Sequence, residues 1–97
     1  MMYTALSRRI AIHYCPRCGW LTRAAWMAQE IGKTFEADLA EIALVPSAAG
    51  VFDVWLGDER LFCRQEAGDF PTPKGIKQQI RDRLEPGRNL GHSDYDQ

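Results

Sequence analysis

Arg8-Arg9-Ile10-Ala11-Ile12-His13-Tyr14-Cys15-Pro16-Arg17-Cys18-Gly19-Trp20 is the stretch around which the rest of the chain can be organised. As far as Tyr14 it is short, β-branched and aromatic, and it meets Cys15-Pro16 at once, which predicts a strand running into a loop. Beyond Gly19 the residues Trp20, Leu21, Ala24, Ala25, Met27, Ala28 and Ile31 recur three and four apart. That spacing predicts an amphipathic helix over 17–31, with Gly32 as its stop. The two cysteines therefore fall at a strand-to-helix junction.

Working outward, 39–45 reads as a second strand with Ile42 and Leu44 on one side, closed by Pro46-Ser47. Residues 51–56 and 59–64 read as a hairpin around Gly57-Asp58, with Leu61 and Cys63 in phase. A loop is expected over 65–71. Thr72 then offers an N-cap and Pro73 a first helical residue whose missing N–H has no partner to lose. Ile76, Ile80 and Leu84 carry this second helix to Pro86-Gly87, and 88–97 reads as a flexible polar tail. The order βαβββα predicts an α/β (α+β) domain over 1–97, a four-stranded mixed sheet with two helices.

Length and charge narrow the functional classes. At 97 residues and 11.0 kDa there is room for one hydrophobic core, so any site is shallow and surface-borne. The chain is 45% apolar and 26% charged, as folded soluble domains are, which argues against wholesale disorder. Net charge is -1 with no basic run, which speaks against nucleic acid or an anionic membrane as partner. No stretch approaches the ~18 to 20 apolar residues of a membrane span. The start Met1-Met2-Tyr3-Thr4-Ala5-Leu6-Ser7 lacks the charge order of a signal peptide, so a cytoplasmic location is expected.

The three cysteines are Cys15, Cys18 and Cys63, an odd number that suits a reducing compartment better than a disulfide scaffold. Cys15-Pro16-Arg17-Cys18 is either half a zinc site or a redox couple. Zinc would have to draw on Cys63, His13 and His92, each singly placed, so the redox reading is preferred and no bound metal or cofactor is expected. Helical N–H groups next to Cys15 favour its thiolate, Arg17 is placed to add to that effect, and Pro16 stiffens the turn. Cys18, one turn into the helix and more buried, suits the resolving role. The expected chemistry is attack by Cys15 on a small or protein disulfide, resolution by Cys18, and resetting by glutathione or another thiol. Trp20 flanks the loop as a docking surface, unless it belongs to the core rim. His13, Asp53, Trp55 and Cys63 read as structural, and Asp53 as a solvated edge carboxylate.

These residues, together with Gly50-Val51-Phe52-Asp53-Val54 and Gly68-Asp69-Phe70-Pro71 with its lysine-bearing helix, resemble the selenoprotein W, T and H (Rdx) family over about 8–94. The chain looks like a bacterial-type, cysteine-containing member. The resemblance implies a thioredoxin-like fold, a redox role for the motif and a link to glutathione-dependent redox balance. The family's selenoproteins carry selenocysteine where this chain has Cys18; a thiol there keeps thiol exchange but is a weaker nucleophile. A non-catalytic alternative is a redox-responsive module whose Cys15-Cys18 state alters the surface offered to a protein partner.

Overall fold

In a computed structural model, residues 8–91 are described. They form β1 (Arg9–Tyr14), α1 (Leu21–Phe35), β2 (Glu41–Pro46), β3 (Phe52–Leu56), β4 (Glu59–Cys63), α2 (Arg64–Ala67) and α3 (Pro73–Leu84). The strands make one mixed sheet in the order β2-β1-β3-β4. β1 runs parallel to β2, with Ile10 beside Ile42 and Ile12 beside Leu44. It runs antiparallel to β3, with Ile12 beside Val54 and Tyr14 beside Phe52. A register shift between Val54 and Trp55 interrupts the antiparallel β3-β4 pairing.

Alternation along the strands sorts the side chains. Ile10, Ile12, Tyr14, Phe52, Val54 and Leu56 share one face, where they form the core with Ala24, Met27, Ile31 and Phe35 of α1 and Ile76 and Ile80 of α3. Ala11, His13, Asp53 and Trp55 lie on the other face, where the His13 and Trp55 rings approach to 6.1 Å. Among the described residues, no helix is long and apolar enough to cross a membrane.

Several boundaries differ from those the sequence suggests. Gly32 does not end α1, which continues to Phe35. Phe35 is fully buried and completes the apolar stripe, and a Cβ on Gly32 would lie 3.5 Å from the Ile42 side chain. The helix thus gains core contact from its last turn that outweighs glycine's propensity cost of about 1 kcal/mol. The expected 65–71 loop is taken up at its start by α2, so the described residues hold three helices rather than two. α2 ends at Gly68, whose φ of 81° is open to glycine at little cost. At α3 the local signals are realised: Thr72 Oγ1 accepts a hydrogen bond from the Gly75 N–H at 3.1 Å and Pro73 opens the helix.

The beginning of the expected tail is not loose. Arg88 donates to both carboxylate oxygens of Asp38 at 2.9 and 3.0 Å and to Glu85 at 2.9 Å, while its carbonyl accepts from Arg81 at 2.9 Å. Leu90 packs against the core, and 92–97 lies outside the described residues. The Arg88 hydrogen bonds hold the Asp38 carboxyl below its ordinary range, against the opposing effect of burial. A lowered carboxylate pKa means stabilisation that is present above the unfolded value of about 3.9 and lost as pH falls through the folded one. Urea melts of Arg88→Gln should therefore show a loss of about 1 kcal/mol at pH 7 that shrinks as the medium is acidified below pH ~4. A loss independent of pH would show that the pair is not its source.

Candidate redox site

Strand β1 delivers Cys15 to the site. Its last residue, Tyr14, is paired on both sides, with Pro46 and with Phe52, and its carbonyl accepts from the Ser47 N–H at 2.7 Å. Cys15 follows directly and is fully buried. The chain then makes a single turn that closes on itself. Gly19 N–H donates to the Pro16 carbonyl at 3.1 Å, and Trp20 N–H reaches the Cys15 carbonyl at 3.4 Å. This nested pair around a residue with positive φ is the Schellman arrangement that ordinarily ends a helix, and Gly19, at φ 76°, occupies its left-handed position. The helix expected from residue 17 therefore begins only at Leu21, after the turn that Gly19 closes.

Cys15 and Cys18 are joined as a disulfide, with Cα atoms 5.4 Å apart, inside the range such bonds require. Their burial is the reverse of that expected from the sequence. Cys15 has no exposed surface, whereas Cys18 is exposed and lies in the turn before α1 rather than inside the helix. The donor to the Cys15 sulfur is also not an N–H of α1. Its Sγ accepts the backbone N–H of Cys18 at 3.1 Å. Arg17 is exposed and makes no hydrogen bond or ion pair among the described residues, so none links it to either sulfur.

Trp20 belongs to the core rim. Half-buried against the core, it stacks edge-to-face on Phe70, with centroids 4.9 Å apart, and also meets Phe52 at 6.3 Å. Phe52 and Phe70 complete the cluster at 5.5 Å. Two guanidiniums lie over these rings: Arg23 at 3.9 Å from the Phe70 centroid, and Arg64 at 4.7 Å from Trp20 and 4.9 Å from Phe70. Sequence reasoning missed Arg23, Arg64 and this role of Phe70. They come from α1, the β4–α2 junction and the loop before α3, and no local spacing records that convergence.

Cys63 is buried and free, opposite Asp53 in the β3-β4 register. Asp53 is half-buried and lies 3.9 Å from Arg60, so it is not the solvated edge carboxylate expected. The His13 ring lies tilted against Trp55, on the sheet face opposite the core. Among the described residues, no group of three or more His, Cys, Asp or Glu side chains is assembled that could hold a metal ion; His92 lies outside them.

Fold and site together define a small α+β protein with a redox-type cysteine pair on a thioredoxin-like scaffold. The Rdx family model matches residues 9–82, and the chain belongs to the Rdx family. It is similar to a crystal structure from Bordetella parapertussis, with 54% identity, a TM-score of 0.76, and coverage of 78% of this chain and 96% of that one. A selenoprotein W-related protein from Vibrio cholerae is 35% identical, with a TM-score of 0.77 and coverage of 79% and 96%. No curated protein matches.

Two outcomes follow from this geometry. After reduction, brief alkylation should label Cys18 well before Cys15 or Cys63, as peptide mass mapping would reveal; equal labelling would contradict the burial difference. Gly19→Ala should cost about 1 to 2 kcal/mol in denaturant melts through backbone strain alone, since a Cβ there meets nothing within 4 Å. An unchanged midpoint would mean the turn does not need its left-handed residue.

Proposed function

We propose that the protein is a thiol-disulfide oxidoreductase in which Cys18 exchanges with substrates and Cys15 resolves. The observation that carries this reading is the pairing of one exposed and one fully buried cysteine, the sulfur of the buried one accepting the Cys18 N–H. This proposal assigns the two roles the other way round from the sequence expectation, because a disulfide sulfur must be reached in line by its attacker.

In the reductive direction, the Cys18 thiolate attacks one sulfur of a substrate disulfide. The substrate S–S bond breaks, its other sulfur leaves as a thiolate that takes a proton from water, and a Cys18 mixed disulfide remains. The Cys15 thiolate then attacks Cys18 Sγ, releasing the second substrate thiol and leaving the Cys15-Cys18 bond. Two glutathione molecules reset the pair. The first attacks exposed Cys18 Sγ and expels Cys15 as a thiolate, whose charge the Cys18 N–H stabilises as an ionic hydrogen bond. The second attacks the glutathione sulfur, giving glutathione disulfide and free Cys18. Glutathione is a co-substrate in this scheme, not a bound cofactor, and its reducing pool fits a cytoplasmic setting.

Trapping tests the assignment. Cys15→Ser incubated with glutathione disulfide or a protein disulfide should accumulate a mixed disulfide on Cys18, while Cys18→Ser captures far less. The reverse pattern would restore Cys15 as the attacking sulfur. Redox-dependent capture without glutathione-coupled turnover above that of the double serine variant would replace the enzyme with a binding module.

A further inference from the structure

Positive charge is distributed unevenly over this nearly neutral chain. Away from the cysteine turn, arginines are matched to carboxylates: Arg9 to Glu41 at 2.7 Å, Arg60 to Glu66 at 2.6 Å, Arg81 to Asp82 at 2.7 Å, Arg83 to Glu59 at 2.8 Å and Arg88 to Asp38 at 2.9 Å. Arg17, Arg23 and Arg64 have no ion-pair partner among the described residues. All three belong to the surroundings of the Cys15-Cys18 turn. Arg23 and Arg64 are held in place by the rings of Phe70 and Trp20, and the Arg64 Nε is buried without a hydrogen-bond acceptor. The first turn of α1 carries no acidic residue to offset its N-terminal dipole. Asp69, the carboxylate next to Phe70, is turned onto its own chain and accepts from the Phe70 N–H at 2.7 Å.

Beside these charges a shallow recess starts at Gly19, the neighbour of Cys18, and runs along α1 past Trp20, Thr22 and Arg23 to Trp26. Trp26 is 46% exposed, one of two large apolar side chains left so open among the described residues. An anionic group alone would satisfy the guanidiniums but leave this indole in water. An extended polypeptide satisfies both.

We propose that the recess, with Arg23 in its wall and Arg17 and Arg64 beside it, docks an acidic segment of a protein substrate, one that carries carboxylates and an apolar side chain next to its cystine. This rests on the thiol-disulfide reading above and names the substrate class for the same site. Docking sets the substrate's disulfide against Cys18 Sγ, and the exchange proceeds with the bond changes already described: substrate cystine to two thiols, Cys15 and Cys18 to a disulfide. Unpaired cations at the mouth also raise the encounter rate with an acidic partner by ~10 to 1,000-fold at low ionic strength.

The test uses the reduced full chain and two cystine peptides that share one apolar residue and differ only in flanking Glu or Lys. The Glu peptide should be reduced roughly tenfold or more faster in dilute buffer, and the ratio should fall as salt screens the charges. Arg23→Glu should invert the preference, Trp26→Ala should slow the Glu peptide, and Arg9→Gln should leave the ratio as it is. Equal rates for the two peptides, or a ratio unmoved by Arg23→Glu, would overturn the proposal. So would glutathione disulfide alone responding to Arg23→Glu, since that marks a small-molecule site. A Glu peptide with serines for cysteines, followed by tryptophan fluorescence, separates the two readings. Its selective binding without exchange on any disulfide removes the redox function and keeps the docking surface; its failure to bind, with exchange intact, removes only the surface.

Discussion

The site depends on how the chain leaves its central strand. β1 is paired along both edges, so the position of Cys15 at its end is fixed by the sheet rather than by a loop. From there one turn of backbone, closed by the left-handed Gly19, brings Cys18 back over the buried sulfur. The two sulfurs then differ in the property that matters for exchange. Cys18 is exposed, whereas Cys15 is buried and its sulfur accepts the Cys18 N–H, a contact that in the proposed scheme would stabilise a Cys15 thiolate.

The turn is braced from its far side by the Trp20, Phe52 and Phe70 rings, whose edge-to-face contacts are worth about 0.5 to 1.5 kcal/mol each beyond burial. Phe52 is fully buried and belongs at once to the core and to this cluster, so the mouth of the site is an extension of the hydrophobic interior. The same rings hold Arg23 and Arg64 at the surface. Stability and electrostatic character at the site thus share one set of side chains, and change at Phe70 would affect both.

Much of the architecture is legible in sequence because its signals are local. The β-branched run before Cys15, the Gly57-Asp58 hairpin and the Thr72-Pro73 cap each act within a few residues, and each is realised. Helix α1 shows where periodicity misleads. Its apolar spacing extends back through Trp20, yet Gly19 takes a positive φ that spacing cannot register, and Gly32 is overridden by the burial of Phe35. The cysteine pair itself is readable, and the family resemblance strengthens it, but which cysteine is exposed depends on the three-dimensional turn. The arginine convergence was hidden for the same reason, since Arg23 and Arg64 meet Phe70 only after the sheet has formed.

A dithiol that opens and closes as one unit is the central claim, and equilibration of the full chain across glutathione redox buffers tests it most directly when each cysteine is mapped by mass. Cys15 and Cys18 should lose their thiols together in a single two-electron transition, ending in an internal bond, with buried Cys63 still free. A stable glutathione adduct on either cysteine, or a transition that draws in Cys63, would contradict it.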